Sequence, residues 1–352
     1  MNINFNLQRY CEYLIAIEAE RTLREFACTP PAPGPAIEFT LPRDPDLDLS
    51  ILLPVWNPDP NQFERCLKSI ANAKLGGLKY EVIVSDNASE TDVVSRCLAR
   101  IKVPHVRAVR QPANIGGFPN FNWCIAASRG GWLHLLSHDD WIEPEFYAKL
   151  LRGAAEQSDS ALRFSRTRIC DETAGQTRLM FDEAPTAGII GNFLDRQSIC
   201  QRIQLVGALF SRHAVETVGG FDSSLGAGAD WEYWVRISSR FPVFYHPELL
   251  ANYAMHQGSW TNREAGGFAD AEAFRKYRKI LQCILASVPE VKRRAVAGGF
   301  LQNMLGRLIG ISMENRKANR LEANRPLGEA LFVGCKEAGL LSDIEKVILG
   351  LP

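Results

Sequence analysis

The 352-residue chain predicts an α/β fold, a mostly parallel sheet flanked by helices, and three observations carry that expectation. Short apolar runs alternate with amphipathic helical stretches from residue 49 onward, and each run stops at a polar cluster. One of them, Gly130-Gly-Trp-Leu-His-Leu-Leu-Ser-His-Asp139-Asp140-Trp, stops at two adjacent carboxylates. Open α/β sheets bind ligands outside the carboxyl ends of their strands, and oxygen donors suit Mg²⁺ or Mn²⁺. The pair alone points to a metal near a phosphorylated, nucleotide-linked substrate.

The elements follow in order. Residues 6–27 place Leu7, Cys11, Leu14, Ile15, Leu23 and Phe26 at helical spacing, an N-terminal amphipathic helix within residues 1–28. The run Thr29-Pro-Pro-Ala-Pro-Gly-Pro35 cannot continue it, so 29–48 reads as a proline-rich linker. Strands are expected at Leu49–Val55, Tyr80–Ser85, Val106–Arg110 and Trp132–Ser137, with helices at Asn61–Ala73, Asp92–Arg100 and Phe118–Ser128 between them. Another helix is expected from near Pro144. The strand-end clusters are Trp56-Asn57, Asp86-Asn87-Ala88-Ser89, Asn114-Ile-Gly-Gly117 and Ser137-His-Asp-Asp140. Four clusters on one edge of a parallel sheet make a single site. Residues 160–255 mix short strands and turns around a helix at Trp231–Ser239. Residues 263–352 read as a helical region, with helices at 269–287, 290–316, 325–338 and 342–349.

Bulk properties exclude several classes. Lysine plus arginine equals aspartate plus glutamate at 40 each, which argues against nucleic-acid binding. The nine cysteines form no C-x-x-C pair and read as small core residues of a reducing compartment. The opening MNINFNLQRY does not read as a secretory signal, and no window reaches the ~18 apolar residues of a membrane span, so a cytoplasmic protein is expected.

Taken in series, five segments carry a resemblance: Leu53-Pro-Val-Trp-Asn57, Val84-Ser-Asp86-Asn-Ala-Ser89, Asn114-Ile-Gly-Gly117, Leu136-Ser-His-Asp139-Asp140, and Gly219-Gly-Phe-Asp222 with Ala229-Asp230-Trp-Glu232-Tyr-Trp234. In this order the chain resembles a family 2 glycosyltransferase of GT-A fold, Rossmann-like, over residues 49–262. The resemblance implies inverting transfer of a sugar from a UDP- or dTDP-sugar donor to a hydroxyl of a glycan or lipid-linked oligosaccharide, in cell-surface polysaccharide synthesis. It implies Mg²⁺ or Mn²⁺ on the donor diphosphate.

The resemblance also assigns residues. Asp86 would accept a hydrogen bond from a base imide, with Pro54, Val55 and Asn57 lining the same donor pocket; a turn or cap aspartate is the plainer reading of Asp86. Asn114 and Gly117 belong to a loop through which backbone approaches the donor. Asp139 matches the second acid of the family's D-x-D and is a metal ligand. Ser137 stands where the first acid is usual, which implies weaker metal binding. His138 joins the donor-site candidates by adjacency, although strand alternation would turn its side chain away. Asp140 either supports the site or caps the helix that follows.

Asp230 matches the catalytic base, which must reach the acceptor hydroxyl, and an N-cap is its structural alternative. Trp231 and Glu232 are the acceptor-binding candidates. Tyr253-Ala-Met-His256 resembles the family's late histidine motif and makes His256 a second metal candidate.

Two other functions compete with this one. A nucleotidyltransferase would want a basic glycine-rich loop after the first strand, where this chain has Pro-Val-Trp-Asn-Pro-Asp-Pro. A non-catalytic sugar- or nucleotide-binding protein is suggested by Ser137 and Ala229, where two acids usual in the family are absent. The flanking helices could pack on the core, form a homodimer or meet a membrane peripherally. Lys292, Arg293, Arg294, Arg307, Arg316, Lys317, Arg320 and Arg325 would then face anionic lipid, although a solvated helix face is the plainer reading of this cluster.

Overall fold

The computed structural model describes residues 7–28, 34–152, 159–256, 258–259 and 271–317. Its first half is built from the predicted alternation. Strands β1 (Leu49–Val55), β2 (Tyr80–Asp86), β3 (Val106–Arg110) and β4 (Trp132–Leu135) form parallel ladders in the order β3-β2-β1-β4. Helices α2 (Pro60–Ala71), α3 (Val93–Arg100) and α4 (Gly117–Ala126) connect them; α1 (Leu7–Cys28) precedes the sheet. Every residue of β1 is buried, as expected for a strand covered on both faces. Its side chains divide between two cores: Leu49, Ile51, Leu53 and Val55 on one face, Leu52 on the other.

Local chemistry explains the boundaries. Asp59 caps α2 by accepting from the Asn61 and Gln62 amides, and Pro60 starts the helix at a position that needs no N–H donor. Gly116 enters α4 at φ +93°, a conformation costly for any other residue. The predicted strands and helices here agree with the observed ones to within about two residues, the uncertainty inherent in helix ends.

The second half closes the sheet: β5 (Trp141–Ile142), α5 (Phe146–Leu151), β6 (Leu162–Asp171), β7 (Gln176–Leu179), β8 (Gly188–Ile189), α6 (Phe193–Ile199), β9 (Ala208–Ser211), α7 (Arg212–Val218), α8 (Ala229–Ser238) and β10 (Val243–Met255). Strand β9 runs antiparallel between β4 and β6, and the long β6–β10 ladder is parallel. Helix α8 is buried almost all round, with Trp231, Tyr233, Trp234, Val235 and Ile237 all inside.

Two flanking regions differ from expectation. Residues 34–48 are a packed strap rather than a free linker: Gly220 donates to the Pro35 carbonyl, Thr40 to that of Ala126, and the Arg212 guanidinium lies 3.4 Å over the Phe39 ring. Beyond β10, α9 (Ala271–Ser287) and α10 (Glu290–Lys317) pack on α8, α6 and α1, with Phe300 fully buried. Three basic residues of the first turns of α10 are engaged. Lys292 pairs with Asp195 at 2.8 Å, Arg294 pairs with Glu20, and Arg293 donates to the Leu285 and Val288 carbonyls. These three side chains thus have partners within the chain, while Arg294 and Lys292 remain largely at the surface, as a solvated helix face would have them. The helices expected at 325–338 and 342–349, like Arg320 and Arg325, lie outside the described residues. Among the described residues no helix is long and apolar enough to cross a membrane. Five described cysteines (66, 97, 124, 200, 283) are buried and free, as the core reading requires.

Candidate active site

The order β3-β2-β1-β4 places a topological switch point between β1 and β4, because the chain leaves β1 in one direction and returns to its other side later. Leu52 pairs with both Ile83 and Leu135, so the carboxyl ends of β1, β2 and β4 lie side by side. A cleft of about 670 Å³ opens there. Of the predicted residues, Pro54, Val55, Asn57, Asn114, Gly117, Ser137, His138, Asp139, Asp230 and His256 line it. Four strand-end clusters do converge.

Loop chemistry fixes the donor side. Asn57 adopts φ +44°, donates its amide to Ser89 Oγ (2.9 Å) and accepts from the Glu90 amide (2.7 Å). Asn87 donates to Asn114 Oδ1 (2.9 Å) and to the Gly116 carbonyl (3.2 Å). These bonds tie the loops after β1, β2 and β3 into one wall and turn the first turn of α4, with its positive dipole end, toward the cleft.

Asp139 and His256 meet across the cleft, Oδ2 to Nε2, at 3.0 Å. Burial would push the Asp139 carboxyl up; the His256 hydrogen bond and the neighbouring imidazoles hold it below its ordinary value. Asp140 has a different role. It is 1 % exposed and accepts the Ala254 amide at 2.8 Å, two residues before His256. Burial and the adjacent Asp139 charge push its carboxyl well above the ordinary range. Asp140 is therefore neither a helix cap nor an equal partner; it ties the Asp139 loop to the strand that carries His256.

The donor set fits a hard divalent cation. Among the described residues no cluster of three or more histidine, cysteine, aspartate or glutamate side chains stands together, so a closed structural site is absent. Mg²⁺ and Mn²⁺ keep substrate phosphates and water beside one or two protein ligands, which is what Asp139 and a neutral His256 offer. No lysine or arginine is among the described residues lining the cleft, whereas Asp59, Asp139, Asp140 and Asp230 are.

Asp230 stands on the first turn of α8, and Gly228, not Asp230, is the N-cap. Its Oδ1 accepts from the Trp231 amide and its Oδ2 from Gln201 Nε2, both at 2.7 Å. Burial pushes its carboxyl from 3.8 up to about 7, against the pull of those two hydrogen bonds. A carboxylate poised near neutrality, facing a cleft, has the properties of a general base.

Three expectations are corrected. Trp231 is 2 % exposed, donates Nε1 to the Gln197 carbonyl and stacks on Phe300 at 4.8 Å, so it faces the core rather than an acceptor. Glu232 is buried in a two-pronged pair with Arg236, both contacts at 2.8 Å, and also lies outside the cleft. Asp86 turns from the cleft toward Arg110 (2.6 Å) and the Ser89 amide (2.9 Å), beside a separate cavity. That is the turn aspartate of the plainer reading. His138 lines the cleft because β4 stops at Leu135, so strand alternation no longer governs it.

Sequence reasoning missed Gln201 and Arg65. Arg65 donates to the Asp139 carbonyl at 2.8 Å, pairs with Glu172, and stacks 3.8 Å over Trp141. No motif signals either residue, because each acts through a partner distant in the chain.

Comparison with known proteins agrees with this geometry. Residues 50–219 match the family Glycosyl transferase family 2. Protein MT1568 of Mycobacterium tuberculosis (strain CDC 1551 / Oshkosh) is 25 % identical over 218 residues, 58 % of this chain and 66 % of that one. The chain thus spans just under two thirds of that relative's length. Among solved structures, S. aureus TarS 1–349 in complex with UDP-GlcNAc superimposes with a TM-score of 0.62 at 14 % identity, over 87 % of this chain and 89 % of that one. The same protein in complex with UDP gives 0.58 at 11 % identity, over 86 % and 90 %. The shared architecture is the GT-A fold, with its mostly parallel central sheet between helices. Residues 50–219, just under half of the chain, thus carry the pattern of glycosyl transferase family 2 on a GT-A fold.

Proposed function

We propose that the protein is a metal-dependent, inverting glycosyltransferase. It moves a sugar from a UDP- or dTDP-sugar to a hydroxyl of a glycan or lipid-linked oligosaccharide, in cell-surface polysaccharide synthesis. One observation carries the reading: a single cleft at the switch point holds the Asp139–His256 pair and an Asp230 carboxyl poised at about 7. The TarS structures, with UDP-GlcNAc or UDP bound, support a nucleotide-sugar donor here.

In this reading Pro54, Val55 and Asn57 wall the donor, with Asn114 and Gly117 behind its diphosphate. Ser137 and His138 offer hydroxyl and imidazole groups to its sugars. Asp139 and His256 would hold Mg²⁺ or Mn²⁺, whose chemistry is to neutralise the diphosphate leaving group; the cleft's described lining has no cationic side chain to do so. Asp230 takes the proton from the acceptor hydroxyl as its oxygen attacks the anomeric carbon from the face opposite the leaving diphosphate. The C1–O bond to the diphosphate breaks as the new glycosidic bond forms, with inversion.

The test is transfer or hydrolysis of UDP- and dTDP-sugars with Mn²⁺ by the purified protein, beside its Asp139→Asn variant. We expect turnover that a chelator abolishes, and a loss of about a hundredfold or more in the folded variant. A protein that binds the sugar nucleotides with Mn²⁺ present but turns none of them over is the non-catalytic binder instead.

A further inference from the structure

We infer that Gln201 is a positioning residue for the Asp230 base, and that α10 buttresses this pair from behind through Trp231 and α6. The inference rests on the reading of Asp230 as the base. Gln201 Nε2 lies 2.7 Å from Asp230 Oδ2 and 3.3 Å from the Ile203 carbonyl. Both neighbours are acceptors, so the amide must turn its NH₂ toward them. The Trp231 amide holds the other carboxylate oxygen at 2.7 Å. With one fixed donor on each oxygen the carboxylate cannot rotate, and one further lone-pair position on each remains for an acceptor hydroxyl.

The donor itself is held in place. Gln201 follows α6, and Gln197 of α6 is fully buried against α8. Its backbone carbonyl accepts from Trp231 Nε1 at 2.5 Å, and its side-chain oxygen accepts the Arg202 amide at 2.8 Å. Behind this junction the Phe300 ring stacks on Trp231, 4.8 Å away and tilted by 22°. A Cβ at Gly299 would come within 2.9 Å of Ile199 Cδ1, so α10 and α6 are in close contact. Base and positioning amide thus hang from one block centred on Trp231. This gives that tryptophan, which touches no substrate, its part in the reaction.

The test compares Gln201→Leu, which keeps the bulk and removes the donor, with the parent protein. Donor affinity should be unchanged and kcat at pH 7 should fall about fivefold, from about a half to about a tenth of its plateau. Its acid limb should move to higher pH by about one unit, since the lost hydrogen bond favoured the ionised carboxylate. Most of the lost activity should therefore return by pH 9, a rescue that loss of packing would not give. A folded Gln201→Leu protein with the parental kcat and acid limb overturns the inference. So does one whose deficit is the same at every pH. Full activity in Asp230→Asn would instead remove the base reading itself, so the two failures are distinct.

Discussion

Replacing Asp230 with asparagine should abolish transfer and, at alkaline pH, make the protein more stable. The fold favours the neutral form of this carboxyl, because burial lifts its pKa from 3.8 to about 7. The resulting stabilisation is complete below 3.8 and is lost as pH rises through about 7. Three units at about 1.4 kcal/mol each set a ceiling of about 4 kcal/mol on what ionisation costs the folded state at pH 8. Asparagine carries no charge and escapes that cost. It also has only one acceptor oxygen for two donors, the Trp231 amide and Gln201, and the mismatch returns about 1–3 kcal/mol. The net gain at pH 8 is about 1–3 kcal/mol, or several degrees in Tm. At pH 4 the gain vanishes and the variant is equal or less stable. For the parent enzyme, kcat/KM should rise with pH, reaching half its plateau near 7 and about a tenth of it at pH 6. Other groups can shape an acid limb, so paired melting curves across pH 4–9 assign it to Asp230. A variant no more stable than the parent at pH 8, with a flat kcat/KM between pH 5 and 8, would refute the reasoning.

Two further substitutions probe particular assignments. Glu232→Ala should destabilise the fold by about 3–5 kcal/mol by stranding Arg236 in the interior, with acceptor KM unchanged in the protein that remains folded. An unaltered Tm with a raised acceptor KM would return Glu232 to the acceptor site. Ser137→Asp restores an acid where the family usually has one and should tighten Mn²⁺ about tenfold, as extra ligand charge does in hard-cation sites. Calorimetric titration of the metal with UDP present checks it, and unchanged affinity would show that position 137 does not face the ion.

The sheet was legible because its strands are apolar runs of four to seven residues with breakers on either side, a pattern burial on both faces imposes. The cleft was legible for the same reason: wherever such strands stop, their polar successors share an edge. Side-chain direction was not. His138 reaches the cleft against strand alternation because the ladder ends three residues before it, leaving the loop to set its aim. Trp231 and Glu232 were misassigned because α8 is enclosed on all sides, so helical periodicity marks no face as open. Asp86 finds its arginine 24 residues away, and Gln201 finds Asp230 at 29, separations at which nothing local records the contact.

The contact between α1 and the two C-terminal helices also bears on how the protein is made. Glu25 pairs with Arg278 and with Gln282 (3.3 Å), and α1 packs along α10. During synthesis α1 leaves the ribosome first, yet its partners follow some 250 residues later. Until then its apolar stripe, and the face of α8 that packs on the C-terminal helices, have nothing to rest against. At the ~5–20 residues per second of translation that interval lasts tens of seconds. The sheet can form in that time, whereas the packing between α1 and the C-terminal helices closes only when residues about 250 apart in the chain have met.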